Sequence, residues 1–181
     1  MTRFCYVMAT YVATMGVTLA AFVPASLKLV WNASASVPMG FYTIGPAGHL
    51  EVTDLVAVAT PDWLGRFLAA RGYLAEGVPL MKRIAALPGQ RVCRLRGEIT
   101  VDGIAMGRAL DRDRQGRDLP SWSGCHVVAE GELFLMNWQS DDSLDGRYFG
   151  PLPASTVIGK AMPLYTDEAG DGRFVWRAPT R

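Results

Sequence analysis

Two adjacent cations interrupt the apolar stretch Leu80-Met81-Lys82-Arg83-Ile84-Ala85-Ala86-Leu87-Pro88-Gly89. The apolar run and the Pro-Gly pair that closes it predict a strand over Leu80–Leu87 followed by a turn. Successive side chains of a strand point to opposite faces, so one cation of the pair is expected to face the interior. A buried lysine loses its proton readily, whereas arginine stays charged. Lys82 is therefore a candidate general base, with a lysine that extends to the surface as the alternative.

Short strands of this kind recur along the rest of the chain. The only segment with apolar residues at helical spacing is Pro61–Leu74, which predicts a helix. The polar residues 107–124 predict a long exposed loop. Further strands are predicted at Gly40–Ile44, Asp54–Ala59, Arg91–Leu95, Ile99–Val101, Val127–Val128, Leu133–Asn137 and Val157–Leu164. We therefore expect a mainly β domain with one short helical insertion.

Composition excludes some classes of protein. The chain has 181 residues, 18 basic and 17 acidic side chains, and a formal net charge of +1. Such a balance gives no broad positive field, so no nucleic acid partner is expected. A hydrophobic fraction of 50% with 19% charged residues also argues against long disordered regions.

The amino-terminal segment Phe4–Leu27 contains no charged side chain. At about 1.5 Å per helical residue, it is long enough to cross a hydrocarbon core about 30 Å thick. We expect residues 1–30 to form a single transmembrane anchor in the inner (cytoplasmic) membrane, and residues 31–181 to form a periplasmic domain. A cleavable signal peptide is an alternative, because Ala20, Ala21 and Ala25 supply small residues, and a buried core helix is another.

Cysteine and histidine usage bears on cross-links and metals. An oxidising compartment would permit a disulfide between Cys93 and Cys125, but the sequence leaves open whether the two approach each other. The two histidines, His49 and His126, are far apart in sequence and no Cys-x-x-Cys motif occurs. No metal site is therefore expected.

Two further segments stand out beside Lys82. The small-residue stretch Asn32–Tyr42 can hold a serine on a sharply turned backbone just after the apolar segment, although a plain linker is the alternative. The stretch Asn137–Pro151 is polar and contains Asp145 and Arg147. Its alternative interpretation is an exposed loop with a surface ion pair of little energetic value.

Together these segments resemble a known family. They occur in the order of the motif boxes of type I signal peptidases: Ser36-x-Pro38-x-Gly40, Lys82–Gly89 and Asp142–Gly150. The short chain and the spacing from Asn32 to Gly40 are more similar to the TraF branch, the conjugative transfer signal peptidases. The resemblance covers roughly residues 10 to 165.

The resemblance implies a membrane-anchored serine endopeptidase with a Ser/Lys dyad and no cofactor. Ser36 is the implied nucleophile and Lys82 the implied base. The implied oxyanion donors are the backbone N–H of Ser36 and the hydroxyl of Ser34. Residues implied to support the lysine are Ser143, Asp145 and Arg147.

The implied substrate is the leader segment of an exported precursor, such as a pre-pilin, with small residues such as alanine before the cut. Membrane lipid and the conjugative transfer machinery are the other implied partners. The alternatives are a general type I signal peptidase and a non-catalytic periplasmic assembly factor.

Two departures from the general pattern are the position of Pro38, which fits the TraF branch, and Gly146, where serine is common in the family.

Overall fold

The computed structural model describes residues 3–21 and 28–179, and the prediction of a mainly β chain is confirmed. The helices within these residues are α1 (Arg3–Ala21), α2 (Asp62–Ala70) and α3 (Gly146–Phe149), with a 3₁₀ turn at Ala154–Thr156. The strands are β1 (Leu29–Asn32), β2 (Met39–Gly45), β3 (Leu55–Val58), β4 (Leu80–Ala86), β5 (Arg91–Leu95), β6 (Glu98–Val101), β7 (Ile104–Arg108), β8 (Gly124–Val127), β9 (Glu132–Leu135), β10 (Leu152–Pro153), β11 (Val157–Asp167) and β12 (Val175–Trp176).

The strands form two antiparallel sheets. The larger sheet has the order β1-β2-β11-β3-β4-β9-β10, with β12 pairing β11, and the smaller has the order β7-β6-β5-β8. Strand β4 lies inside the larger sheet between β3 and β9, and its register places Lys82 opposite Val56 and Arg83 opposite Leu55. The predicted strand Leu80–Leu87 is thus a central one.

Both faces of β4 are covered by apolar residues. Helix α2 lies on one face, where Leu64 and Leu68 join a cluster that includes Ile84. On the other face Tyr42, Leu55 and Met81 belong to a second cluster. As a result Lys82 and Arg83 are only 5% and 6% exposed. We expected one cation of the pair to face the interior, and both do.

Several predicted segments differ from the structure in their bounds, among them the predicted helix and the predicted loop. The predicted helix Pro61–Leu74 is shorter, because α2 ends at Ala70 and Gly72 adopts φ +68°, a left-handed conformation that terminates helices. The predicted exposed loop 107–124 overlaps the ends of β7 and β8, and Ala109 within it is buried. Between those strands Arg112 and Asp118 form an antiparallel bridge, so the segment folds back on itself.

The amino-terminal helix α1 lies within the predicted anchor. Its described side chains, Arg3 to Leu19, are exposed. Across residues 3–21 and 28–179 the structure has no helix that combines the length and the apolar character needed to span a bilayer. The predicted span Phe4–Leu27 continues into residues 22–27, which lie outside the described residues, and β1 begins at Leu29 within the predicted anchor range.

A disulfide joins Cys93 and Cys125, the pairing that the sequence left open. The two cysteines are direct cross-strand neighbours on β5 and β8, with Cα atoms 4.0 Å apart. The disulfide therefore fixes the end of the 107–124 segment to the smaller sheet.

Two glycines allow β11 to pack closely against β2. A Cβ atom on Gly40 would lie 2.2 Å from the carbonyl oxygen of Tyr165, and Gly40 has φ +143°. A Cβ atom on Gly159 would lie 2.0 Å from the carbonyl oxygen of Gly45. Both distances are far shorter than any tolerated contact, so only glycine fits at these positions.

Candidate active site

Residues 32–38, from the last residue of β1 to the residue before β2, carry both predicted serines and are called the serine turn below. The side chain of buried Asn32 fills its centre. Its Nδ2 donates to the carbonyl oxygens of Ser34 at 2.8 Å, Val37 at 3.1 Å and Pro38 at 3.1 Å. One asparagine therefore satisfies three backbone acceptors and sets the shape of the turn.

The two serines of this turn contact each other. The Oγ atoms of Ser34 and Ser36 are 3.1 Å apart. The Oδ1 atom of Asn32 accepts hydrogen bonds from the Ser34 backbone N–H at 3.1 Å and from its hydroxyl at 3.0 Å. Ser34 is exposed and Ser36 is half-buried, so the turn presents both hydroxyls near the surface.

Lys82, the other predicted member of the dyad, lies near the middle of β4. Its Nζ donates a hydrogen bond of 2.7 Å to the Oγ of Ser143. Burial lowers the pKa of Lys82 to about 8, because the ammonium loses its hydration; the negative charge of Asp145 opposes this shift and the positive charge of Arg147 adds to it. The neutral amine therefore becomes the major form above about pH 8, whereas an ordinary lysine stays protonated there.

The predicted pair Asp145 and Arg147 is fully buried rather than exposed. The guanidinium donates to both carboxylate oxygens, through Nε and Nη2, at 2.9 Å each. The same Nη2 also donates to the carbonyl oxygens of Ser140 at 2.6 Å and Ser143 at 3.1 Å. The buried pair thereby holds in place the segment that contains Ser143, the hydrogen-bond partner of Lys82. The alternative of an exposed surface ion pair is wrong.

A second buried asparagine, Asn137, joins this segment to β4. Its Oδ1 accepts from the backbone N–H of Arg83 at 2.9 Å, and its Nδ2 donates to the carbonyl of Met81 at 3.1 Å. Its own N–H donates to Asp145 Oδ2 at 3.1 Å. Asn137 thus clamps the backbone on both sides of Lys82.

Sequence reasoning assigned no role to Asn32 or Asn137. The available signal for each was weak: Asn32 begins a stretch of small residues, and Asn137 follows the apolar run of β9. Asparagine at such positions is typical of turns. Neither position indicates by itself that the side chain is buried.

Gly146, one of the two departures from the general family pattern, has a packing reason. A Cβ atom there would lie 2.6 Å from the ring of Phe134 and 2.7 Å from the carbonyl oxygen of Leu135. The indole N–H of Trp122 also donates to the Gly146 carbonyl at 3.0 Å. A serine at this position would clash in this fold.

The serine turn and the lysine open into one cavity of about 410 Å³. Four predicted site residues line it: Ser34, Ser36, Lys82 and Ser143. Asp145 and Arg147 lie behind Ser143 and do not line it. Within residues 28–179, the hydrogen bonds of Ser36 and Lys82 run to Ser34 and Ser143, and none joins the two directly. The described residues also contain no group of three or more His, Cys, Asp or Glu side chains arranged to hold a metal.

Comparisons with known proteins agree with these motifs. The family model for signal peptidase, peptidase S26, matches residues 1–165. A conjugal transfer protein TraF from Agrobacterium fabrum is 34% identical over 151 residues, covering 75% of this chain and 81% of the relative. A plasmid transfer protein TraF from Escherichia coli is 33% identical over 146 residues, with the same shares.

Two more distant similarities were also found. A probable signal peptidase I-1 from Synechocystis is 29% identical over 112 residues, covering 62% of this chain and 53% of that protein. A crystal structure of a signal peptidase I from Enterococcus faecalis aligns with a TM-score of 0.39 at 19% identity, covering 63% of this chain and 97% of that chain. Because the family model covers most of the chain and the TraF relatives exceed 30% identity over most of their length, the chain belongs to the signal peptidase family, peptidase S26.

Proposed function

We propose that this chain is a membrane-anchored serine endopeptidase that removes the leader segment of an exported precursor, with Ser36 as nucleophile and Lys82 as general base. The observation that carries this proposal is a single cavity shared by the serine turn and a buried lysine. Desolvation that lowers the pKa of Lys82 to about 8 supports its role as a base, because only the neutral amine accepts a proton.

In this mechanism Lys82 Nζ takes the hydroxyl proton of Ser36 as Oγ attacks the scissile carbonyl carbon. The developing oxyanion is held by the Ser36 backbone N–H and by the Ser34 hydroxyl, which turns its proton away from Asn32 Oδ1. The protonated lysine then gives its proton to the leaving amine as the peptide C–N bond breaks. The product of this half-reaction is an acyl ester on Ser36.

Water completes the reaction in a second half. Neutral Lys82 removes a proton from water, hydroxide adds to the ester carbonyl, and the Ser36 oxygen leaves and is reprotonated by the lysine. Ser143 contributes by accepting the Nζ hydrogen bond, which aims the lysine into the cavity. Catalytic hydrogen bonds are often incomplete before substrate binds, so a Ser36–Lys82 bond is expected to form in the substrate complex.

An exposed aromatic cluster beside the serine turn supports a location at the membrane surface. Trp31, which directly precedes Asn32, stacks edge-on with Phe41 at 4.7 Å between ring centroids, and Trp31 is 50% exposed. Tyr165 contacts both Phe174, at 5.1 Å, and Trp176, which is 62% exposed. Tryptophan and tyrosine favour the membrane–water interface. With residues 1–30 as anchor and residues 31–181 as periplasmic peptidase domain, the nucleophile would meet a cleavage site that emerges from the bilayer.

The substrate proposed is a pilin precursor of a conjugative transfer system, with that machinery as a further partner. The similarity to proteins named conjugal and plasmid transfer protein TraF supports this choice. The similarity to a probable signal peptidase I supports a second candidate, a general signal peptidase that processes many exported precursors.

The test is to co-express the full chain with a candidate pre-pilin and to measure whether the precursor is shortened to the size of mature pilin. We expect Ser36→Ala and Lys82→Ala to leave the precursor intact, while Ser155→Ala and Lys28→Ala, changes at exposed positions, process it normally. Processing by either site variant at the wild-type rate would overturn the dyad and favour a non-catalytic assembly factor. Equal cleavage of unrelated exported precursors would favour the general signal peptidase.

A further inference from the structure

A second cavity, of about 230 Å³, lies at the start of β3 and is called the Arg83 cavity. Its wall combines residues at the start of β3, Arg83 of β4 and residues from the middle of β11. Lys82 and Arg83 are neighbours on β4 and therefore point to opposite faces of the sheet. Among the described residues the two cavities share no lining residue, so the Arg83 cavity is separate from the candidate active site.

Arg83 brings an incompletely bonded guanidinium to this cavity. The residue is only 6% exposed, and its Nη1 donates to the carbonyl of Thr53 at 3.0 Å. Its Nε is buried without an acceptor, and its Nη2 has no acceptor among the described residues. Leaving a buried donor unpaired costs free energy, and such groups are rare in folded proteins. The edge of the guanidinium formed by Nε and Nη2 is therefore suited to bind a ligand.

Thr53 holds the other edge of the guanidinium. Its backbone has φ +81°, a conformation that is rare for a β-branched residue. Its N–H donates to the carbonyl of Ile84 at 2.8 Å, while its own carbonyl accepts from Arg83. Strained backbone of this kind persists only where surrounding contacts hold it. The unpaired edge of Arg83 is therefore oriented before any ligand binds.

The charge of Arg83 also has no ion-pair partner among the described residues. Asp54 lines the same cavity, but its carboxylate pairs with Lys160 at 2.7 Å and accepts from the N–H of Glu51 at 2.8 Å. Burial lowers the pKa of Arg83, and the negative charge of Glu168 opposes this shift without reversing it. Two cations and one carboxylate leave the cavity with one positive charge to be matched by a ligand.

We infer that the Arg83 cavity binds a phosphate group through the unpaired edge of Arg83 and through Nζ of Lys160. A guanidinium edge matches two oxygens of an oxyanion, and lysine binds phosphate as a point charge. A planar carboxylate would use both of its oxygens on Arg83, whereas a tetrahedral phosphate has further oxygens for Lys160. The volume lies below the range of about 300–1,000 Å³ typical of drug-sized ligands, which suits a small group. The inference goes beyond the proposed peptidase function and does not depend on it.

The test is isothermal titration calorimetry on the full-length chain in an uncharged detergent at constant ionic strength. The ligands are inorganic phosphate, dihexanoyl phosphatidylglycerol and acetate, each also titrated into detergent alone. We expect phosphate or the lipid to bind one site per chain. Arg83→Gln and Lys160→Gln should each raise Kd about tenfold or more, because each removes a charge-assisted hydrogen bond. The matched changes Arg66→Gln and Lys28→Gln, at exposed positions, should leave Kd unchanged.

A variant that fills the cavity tests its location without removing a charge. Met162 lines the cavity and is 50% exposed, so Met162→Trp should fold and should also raise Kd about tenfold or more. Thermal unfolding checks that each variant is folded.

The outcomes separate the sources of the phosphate group. Binding of inorganic phosphate supports a free ion, and binding of the lipid alone supports a headgroup. Acetate binding as tight as phosphate binding, no binding of any ligand, or undiminished binding in folded Arg83→Gln and Met162→Trp variants would overturn the inference. Ser36→Ala should bind phosphate as the wild type does while losing cleavage, so this inference and the peptidase function can fail separately.

Discussion

The serine turn and the lysine side of the cavity are built in opposite ways. Asn32 holds the serine turn through hydrogen bonds to residues two to six positions away, close to the surface. Lys82 is buried, and Ser143, the partner of its amine, is 61 positions away. The nucleophile is therefore a local product of one turn, whereas the base depends on the assembled sheet. Substitutions in the serine turn should therefore lower activity with little loss of stability, whereas substitutions around Lys82 should change the free energy of unfolding as well.

The largest expected effect separates the two residues of the dyad. Ser36→Ala and Lys82→Met should each lower kcat/KM by at least about 10³-fold, since each removes a reacting group. Ser36→Ala should leave the free energy of unfolding within about 0.5 kcal/mol of the wild type. Lys82→Met should raise it at pH 7 by roughly 1–3 kcal/mol, because no ammonium then has to be buried. Cleavage kinetics and urea unfolding measure both quantities. A destabilised Lys82→Met variant would contradict the burial cost.

The second effect concerns stability on the lysine side. Asp145→Ala leaves the fully buried guanidinium of Arg147 without its carboxylate and should lower the free energy of unfolding by about 3–5 kcal/mol. Arg114→Ala breaks the exposed pair with Asp142 and should cost less than about 1 kcal/mol. Urea unfolding of both variants gives the comparison. Equal losses would show that burial does not determine how much each ion pair contributes to the free energy of unfolding.

The two asparagines give a smaller and more selective contrast. Asn137→Ala leaves buried backbone groups on β4 unpaired and should lower the free energy of unfolding by about 2–3 kcal/mol. Asn32→Ala should cost about 1–2 kcal/mol and still reduce kcat about tenfold or more, because the turn loses its shape. Cleavage kinetics and urea unfolding of both variants give the ratio of the loss in kcat to the loss in free energy of unfolding, which should be larger for Asn32→Ala. A larger ratio for Asn137→Ala would reverse the comparison.

The smallest effect is a pH dependence that only the lysine side should show. Neutral Lys82 is the active form, so kcat/KM should rise about tenfold per unit as pH increases toward about 8 and then level off. The pKa of Lys82 is lower in the folded chain than in the unfolded one, where it is near 10.4. The unfolded chain therefore binds more protons between these values, and stability should rise with pH in that window. Lys82→Met should remove this rise in stability, and a flat activity profile would argue against Lys82 as base.

The sequence predicted the centre of the fold better than its margins. The strand Arg91–Leu95 has the predicted bounds, and the core strand β4 differs by one residue. Strand β1 was missed because only Lys28 separates its four residues from the long apolar run, and its first two residues lie within the predicted anchor range. Helix α3 has four residues, and its start depends on Asp145, whose side chain accepts from the Arg147 N–H. Neither feature leaves a periodic signal.

The candidate site was predictable only as far as its motifs extend. Alternation predicted that one cation of Lys82 and Arg83 would be buried, but the burial of both requires β3, β9 and α2 to assemble around them. The contacts of Asn137 with β4 cross more than fifty positions, which no local pattern encodes. The strand pattern made Lys82 a candidate base, whereas the roles of Ser36, Ser34, Ser143, Asp145 and Arg147 came from resemblance. All of these roles stay predictions.

The close approach of β2 and β11 at Gly40 and Gly159 has a consequence for mutational scanning. Even a single methyl group at either position would overlap a backbone oxygen. In a saturation library scored by precursor processing, substitutions at both glycines would therefore be lost as completely as substitutions at Ser36, although neither glycine lines the cavity. Sorting the same library by surface display of folded protein would separate the two kinds of position, since alanine at Ser36 should remain displayed and alanine at Gly40 or Gly159 should not.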